Sequence, residues 1–289
     1  AKRTIKLFFS SHLLQRGRGA AMVMKRKAAA KAMLKAKRTI KASKRRAQGP
    51  IPKAKSSAST KPSARLRNLR AVVINLDTRP DRLASLQKSV ARNAPWLRLE
   101  RLKAVNGKEA HIPDKDVVRK WSTKRLAGLF HWYREKTIGM SPGERGCCAS
   151  HLAAWRKCAA SGKPLLVLED DAVILPSFTA TVSQALAEVP RGTGAIWITS
   201  KDRGTRKRAG RVLMHPTYLW TTVGYILWPA AARALLGLLP MDMPVDNFVA
   251  WHVKEGAISA FSVSPACVRQ AQTWNVGSDV PHSDDIALA

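Results

Sequence analysis

The stretch LLVLEDDAVIL, residues 165–175, places three consecutive carboxylates directly after four apolar residues. A short unbroken apolar run is typical of a strand that is buried on both faces of a sheet. Ligands in open α/β sheets gather at the carboxyl ends of such strands, and Glu169, Asp170 and Asp171 follow this one. Carboxylate oxygens suit a hard divalent ion such as Mg²⁺ or Mn²⁺. A solvated loop or the start of a helix would explain the same triplet, so the residues alone leave both interpretations open.

Strand and helix patterns alternate on both sides of this stretch. Apolar or alternating runs predict strands at residues 71–76, 97–105, 194–200, 223–228 and 258–263. Helical spacing separates most of them, which indicates an α/β fold with a mostly parallel central sheet. About 220 residues are enough for one such core. We therefore predict a single folded domain over residues 71–289.

Residues 1–70 differ from the rest of the chain in charge. They contain 22 of the 51 Lys and Arg residues and none of the 19 acidic ones. A basic segment rich in Lys, Ala, Ser and Pro cannot bury a core, so it is predicted to be a low-complexity leader that is disordered or serves targeting. Three explanations stay open: an organelle transit peptide, a polybasic arm for nucleic acid or anionic membrane, or sequence upstream of the true start.

Two other classes of protein are disfavoured by composition. The longest uncharged run, residues 212–232, contains His215, Pro216 and Pro229, so no transmembrane segment is predicted. The four cysteines lack the spacing of a zinc site or a disulfide framework. Cys147, Cys148 and Cys158 are therefore interpreted as core positions of a helix.

Further candidate residues follow other predicted elements. The turn after the first strand holds Arg79 and Arg82 beside a predicted helix start, capped by Thr78 and Asp81. Free N–H groups there favour phosphate, although both arginines could instead pair with neighbouring acids. A second helix is predicted from Ser141, as N-cap with Glu144 at the third helical position, to a stop at Gly162.

Single residues on later helices are ambiguous by themselves. His151 lies near the middle of the second predicted helix, where a histidine is more often structural than catalytic. Asp246 precedes a short predicted helix, where an aspartate is ordinarily an N-cap. The surrounding motifs therefore have to decide whether either residue belongs to a site.

Several segments occur in an order that resembles glycosyltransferase family 25, which includes lipopolysaccharide and lipooligosaccharide glycosyltransferases and procollagen galactosyltransferases. They are VINLDTRPDRL at residues 73–83, AVNG at 104–107, SPGERGC at 141–147 followed by Ser150 and His151, LEDD at 168–171, and PVDNF at 244–248. Asn106 stands where the family usually has Asp. The resemblance covers residues 71–270 and leaves out the leader.

The resemblance implies a GT-A-like nucleotide-diphosphosugar transferase fold and a metal-assisted, inverting transfer from a UDP-sugar, often UDP-galactose. It implies Mn²⁺, or Mg²⁺, held by Asp171 with Glu169 or Asp170 as a second or outer contact. The donor would be positioned by Asn75, Leu76, Arg79, Arg82 and Asn106. Asp246 is the preferred general base, with Glu144 and His151 as alternatives.

The acceptor, a glycan or a protein, is left open by the sequence. So is the compartment, which would be an organelle or the secretory pathway in a eukaryote and the cytoplasm in a bacterium. Two other functions also remain: a basic nucleic-acid-binding protein that uses the leader, and a catalytically inactive family member. The intact acidic triplet disfavours the inactive member.

Overall fold

The structure, a computed structural model, describes residues 63–199, 204 and 206–271. The predicted leader therefore lies outside the described residues, apart from its last eight positions. Two of those eight, Leu66 and Leu69, are buried in the core although they precede the predicted start of the domain. Among the described helices, none has the length and apolar character that crossing a membrane requires.

The described chain forms seven helices and twelve strands. The helices are α1 (Ala64–Arg67), α2 (Pro80–Asn93), α3 (Lys124–Ala127), α4 (Pro142–Ser161), α5 (Phe178–Glu188), α6 (Pro229–Gly237) and α7 (Val245–Lys254). The first six strands are β1 (Arg70–Asn75), β2 (Leu99–Lys103), β3 (Lys120–Ser122), β4 (Thr137–Gly139), β5 (Leu165–Glu169) and β6 (Ala172–Ile174). The last six are β7 (Ala195–Trp197), β8 (Lys207–Arg208), β9 (Leu213–His215), β10 (Gly224–Leu227), β11 (Ala260–Val263) and β12 (Val268–Gln270).

Eight strands form the central sheet in the order β2-β1-β5-β10-β7-β11-β9-β8. Strand β1 is parallel to both β2 and β5, and β7 is parallel to β11. Strand β10 is antiparallel to β5 and β7, and β9 is antiparallel to β11 and β8. Six strands therefore share one direction and two are reversed, which confirms the predicted α/β fold with a mostly parallel central sheet.

Alternate residues of the central strands face two separate cores. On β1 and β5, Val72 and Val167 belong to the core that includes α4, α6 and α7, whereas Val73 and Leu168 belong to the core that includes α2 and α5. The apolar residues of β5 are all at most 1 % exposed. Burial on both faces explains why this strand is an unbroken apolar run.

Helix α4 begins and ends where the sequence predicts. Ser141 is the N-cap of a reciprocal capping box with Glu144, Pro142 is the first helical residue, and Gly162 ends the helix at a φ of 65°. Cys148, Leu152 and Trp155 are buried on its inner face. These local signals agree with the tertiary packing, so the helix boundaries follow from sequence alone.

The predicted start of α2 is wrong in one respect. Its N-cap is Arg79 rather than Thr78, and the N-cap side chain makes no capping hydrogen bond. The carboxylate of Asp81 instead accepts two hydrogen bonds from the Arg79 guanidinium, at 3.1 and 3.0 Å. A charge-assisted pair with the neighbouring arginine thus replaces the predicted capping box.

Candidate active site

The carboxyl end of β5 meets the ends of three other chain segments. Glu169 is in register with Ile74 of the parallel strand β1, and the loop after β2 is tied to β1 because Ala104 N donates to Asn75 O at 3.0 Å. Strand β10 runs in the opposite direction, so its amino end reaches the same edge, where Glu169 N donates to Val223 O at 3.0 Å. The reversed strand therefore closes one side of the predicted site.

Asp170 turns towards β1 and α2. Asn75 Nδ2 donates to Asp170 Oδ2 at 2.8 Å, and Arg82 Nη1 lies 3.4 Å from Asp170 Oδ1. Burial raises the pKa of Asp170, although the bond from Asn75 and the charge of Arg82 act in the opposite direction. Asn75 also donates to Arg79 O at 2.8 Å and accepts from Arg101 Nε at 2.9 Å. Asp170 thus anchors the triplet to predicted donor-binding residues.

Asp171 lies on the other side, beside β12. Its Oδ2 accepts a hydrogen bond from Gln270 Nε2 at 2.8 Å, while its Oδ1 is buried without a hydrogen-bond partner among the described residues. Burial, followed by the negative charge of Glu169, raises the pKa of Asp171 to about 6. A buried carboxylate oxygen without a partner, next to another carboxylate, is the environment that a divalent cation stabilises.

Glu169 ends a chain of buried hydrogen bonds. Trp155 Nε1 donates to Tyr225 Oη at 3.0 Å, Tyr225 Oη lies 2.9 Å from His151 Nδ1, and His151 Nε2 lies 3.2 Å from Glu169 Oε1. The indole can only donate, so the Tyr225 hydroxyl is free to donate to Nδ1, which leaves the proton of neutral His151 on Nε2, facing Glu169. Thr222 Oγ1 also donates to Glu169 Oε1, at 2.6 Å.

Asp246 approaches this region from α7. The N-cap of α7 is Pro244, so Asp246 is the second helical residue and not the cap that its sequence position suggests. Its Oδ1 accepts from Asn247 N at 2.8 Å. The negative charges of Glu169, Asp246 and Asp171 all raise the pKa of the Cys147 thiol, after burial as the largest cause. Asp246 therefore lies within electrostatic reach of the same group as two members of the triplet.

The predicted phosphate-binding arginines are engaged with acids. Arg79 bonds to Asp81, and its side chain is 14 % exposed, while Arg82 is paired with Asp170. Leu76, partly exposed after β1, accepts the backbone N–H of Arg79 at 3.0 Å through its carbonyl. Arg82 is therefore joined directly to the acidic triplet.

Asn106 and Glu144 lie at the start of α4. Asn106 Oδ1 accepts from Lys108 N at 3.1 Å and so closes its own turn. Glu144 is 2 % exposed, and its Oε2 accepts from Ser141 N at 2.8 Å in the capping box. These two bonds are local. By contrast, Asn75 and Arg82 contact Asp170 directly, and His151 contacts Glu169.

Sequence reasoning missed several residues at this edge. Tyr225, Thr222 and Gln270 each bond to a predicted site residue, and Cys147 offers its sulfur beside His151 and Glu169. Only the spacing of Cys147 and His151, four apart on one helix, carried a usable signal, because residues at that spacing share a face. The other three come together through strand pairings that have no local signature.

Comparison with known proteins shows that this chain is similar to one family of glycosyltransferases. Residues 68–208 match the model of glycosyltransferase family 25, described as LPS biosynthesis proteins. A glycosyltransferase 25 family member of Drosophila pseudoobscura pseudoobscura is 28 % identical over 195 residues, which are 61 % of this chain and 29 % of the relative. The inactive glycosyltransferase 25 family member 3 of Homo sapiens is 26 % identical over 212 residues, 68 % of this chain and 34 % of the relative.

Among solved structures, the apo form of glycosyltransferase GlyE from Streptococcus pneumoniae is similar to this chain. It has 13 % sequence identity and a TM-score of 0.36, over 66 % of this chain and 44 % of that protein. The chain spans about a third of the length of the two curated relatives named above.

Proposed function

We propose that the chain, whose residues 68–208 match the model of glycosyltransferase family 25, is a hexosyltransferase of that family. It would move a hexose, with galactose as the first candidate, from a UDP-sugar to a hydroxyl group of a glycan or protein, with inversion at the sugar carbon. The observation that carries this proposal is the buried Oδ1 of Asp171, without a hydrogen-bond partner among the described residues and beside the charge of Glu169.

The acidic triplet fits a divalent cation. We propose Asp171 as the principal ligand and Glu169 as the second, while Asp170 contributes mainly by holding the triplet against Asn75 and Arg82. When bound, Mn²⁺ or Mg²⁺ would act as a Lewis acid towards the departing nucleotide diphosphate. Because the triplet divides between two sides of the strand end, the three carboxylates perform different roles.

The donor would lie along the carboxyl ends of β1 and β2. Asn75 and Leu76 follow β1, and the segment that leads to Asn106 follows β2 and bonds back to Asn75 O through Ala104 N. Arg82 lies beside Asp170, a position that would bring its charge next to the phosphate end of a nucleotide bound here. Arg79 is included as a donor contact that would exchange its exposed partner Asp81 for phosphate.

Asp246 is the preferred general base for the acceptor hydroxyl. It is partly exposed at the start of α7, and its charge reaches the same thiol as the charges of Glu169 and Asp171. Glu144 is committed to the helix cap, and His151 is fully buried with both ring nitrogens within hydrogen-bonding distance of a partner. Inversion in one displacement requires a base that the acceptor can reach, which favours Asp246.

The test is hydrolysis and transfer with a panel of UDP-hexoses, with and without Mn²⁺. Asp171→Ala should lower metal-dependent turnover by at least a hundredfold, because the leaving charge loses its counter-ion. Asp246→Asn should remove transfer while UDP-sugar binding stays measurable by calorimetry. Glu109→Gln, an exposed carboxylate on the loop after β2, is the matched control and should leave both unchanged.

The inactive family member is the second candidate, since one similar human protein is named inactive. It predicts Mn²⁺-dependent binding of a UDP-sugar without hydrolysis or transfer to any acceptor. Hexosyl transfer at a near-normal rate by the Asp246→Asn variant would refute the assignment of the base, and lack of any UDP-sugar binding by the wild-type chain would refute both candidates.

A further inference from the structure

Cys147 differs from the other three cysteines in its environment. The thiols of Cys148, Cys158 and Cys267 are buried and lie 3.9, 3.3 and 3.8 Å from the backbone carbonyls of Met243, Leu227 and Ile198, to which they donate. Cys147 as a residue is only partly buried, and its sulfur lies beside His151 and Glu169. Three cysteines are thus explained by packing and backbone contacts, and one is not.

The sulfur of Cys147 lies in a cluster of metal-binding atoms. One ligand atom each from Cys147, His151 and Glu169 lies within 4.8 Å of the other two. Ligands on a tetrahedral zinc ion, with metal–nitrogen and metal–oxygen bonds of about 2.0–2.2 Å, would be separated by roughly 3.3–3.6 Å. The 3.2 Å between His151 Nε2 and Glu169 Oε1 is therefore close to one edge of such a site.

The local charge favours a cation at this cluster. Burial raises the pKa of the Cys147 thiol, and the negative charges of Glu169, Asp246 and Asp171 raise it further. A divalent ion would reverse this balance, because it stabilises the thiolate and the nearby carboxylates at once, and the thiol proton would pass to the solvent.

We infer that Cys147, His151 and Glu169 form a three-ligand site for a borderline divalent cation such as Zn²⁺ or Co²⁺, with the fourth position open. Sulfur and imidazole ligands favour such ions over Mg²⁺ and Mn²⁺, which prefer oxygen. This site contains sulfur and nitrogen donors, whereas the site proposed for Mn²⁺ or Mg²⁺ at Asp171 contains only carboxylate oxygens. The two sites share Glu169. This inference does not depend on the proposed transferase activity, because it can be tested by binding of the ion alone.

The surroundings of His151 support this role. With a metal on Nε2, the ring proton resides on Nδ1 and is donated to Tyr225 Oη, whose two lone pairs can accept both this bond and the one from Trp155 Nε1. Such outer partners fix the orientation of a metal-bound imidazole. Tyr225 and Trp155 are consequently positioning residues of the site and not ligands.

Cobalt spectroscopy of the full chain tests the inference. Titration of the reduced protein with Co²⁺ should produce a near-ultraviolet band from sulfur-to-cobalt charge transfer, with intense visible bands of a four-coordinate ion. Cys147→Ser should remove the sulfur band and weaken binding at least tenfold. Cys267→Ser is the matched control, because the serine hydroxyl can keep the bond to Ile198 O, and its spectrum should equal that of the wild type.

A zinc absorption-edge measurement covers the case in which the Cys147→Ser variant does not fold. The zinc-loaded wild-type protein should show one sulfur neighbour at about 2.3 Å. Absence of a sulfur neighbour, or an unchanged cobalt spectrum in folded Cys147→Ser, would overturn the inference. Neither result bears on Mn²⁺-dependent hydrolysis, so the two proposals can fail separately.

Discussion

Asp171 is the residue whose charge conflicts most clearly with its surroundings. Its carboxylate is partly withdrawn from water, lies near Glu169, and has one buried oxygen without a hydrogen-bond partner among the described residues. A group in this environment weakens the fold unless something binds to it. At the scale of single residues, function and stability should therefore be opposed at this position.

We predict that Asp171→Asn stabilises the metal-free protein at pH 7.5. The pKa is raised from 3.8 to about 6, so between these values the native state holds more protons than the unfolded state, and stability falls as pH rises. The neutral amide avoids this loss, which is of the order of 3 kcal/mol at about 1.4 kcal/mol for each pKa unit. Calorimetry should show a melting temperature a few degrees higher than that of the wild type.

The same comparison of the Asp171→Asn variant with the wild type at low pH is the control for this prediction. Below pH 4 the native Asp171 carboxyl is protonated, so most of the advantage of the Asp171→Asn variant should disappear. Saturating Mn²⁺ should raise the melting temperature of the wild type and leave that of the variant unchanged. Equal stability of the two proteins at pH 7.5 without metal would show that Asp171 is not a strained ionised group.

Helix α4 is the element that presents His151 and Cys147, and its first turn is fixed from two directions. The capping box satisfies the backbone N–H groups of Ser141 and Glu144, and the loop after β2 packs closely against the same turn. A Cβ atom on Gly107 would lie 1.7 Å from the carbonyl oxygen of Pro142. The turn that contains Asn106 and the start of the helix are therefore positioned together.

We predict that Gly107→Ala lowers the free energy of unfolding by about 1–3 kcal/mol, because backbone must move to admit the methyl group. Gly237→Ala is the matched control. Gly237 ends helix α6, and apart from its chain neighbours and the backbone of its own helix, no atom of the described residues lies within 4 Å of the position of the added methyl group. There, alanine should be neutral or stabilise by up to about 1 kcal/mol. Urea unfolding measures both, and similar losses for the two variants would contradict the close packing of this loop.

The whole molecule has a formal net charge of +32, and the charge is unevenly distributed along the chain. Residues 1–62 carry 19 of the 51 basic residues and no acidic residue. Cationic chains of this kind release counter-ions from polyanions, so binding that depends on charge alone needs no base contacts. A nucleic-acid function of the leader would therefore have to show a preference for particular sequences, beyond this binding by charge alone.

We predict that the full chain binds double-stranded DNA of any sequence at 50 mM salt and weakens by about a thousandfold at 200 mM. Removal of residues 1–62 should abolish most of this binding and change kcat/KM for UDP-sugar hydrolysis less than twofold. Fluorescence anisotropy with two unrelated duplexes measures the first effect. A strong preference for one duplex that survives the deletion would favour a nucleic-acid function instead.

Local sequence signals predicted much of the architecture. The apolar run of β5 indicated a strand buried on both faces, and Ser141, Glu144 and Gly162 predicted both ends of α4, because each depends on contacts within a few residues. The start of α2 was wrong because Asp81 has two local options, a cap and an ion pair, of similar energy. Boundaries are thus predictable where one local interaction dominates.

The sequence by itself determined the α/β class, the position of the acidic triplet after a buried strand, and the family that its motifs resemble. Only the tertiary structure decided that β10 runs against β5, and therefore that Thr222 and Tyr225 reach Glu169 and His151. It also decided that Asp170 and Asp171 turn to opposite sides. Strand direction and side-chain pairing depend on contacts between residues as many as 99 positions apart, and no local pattern records them.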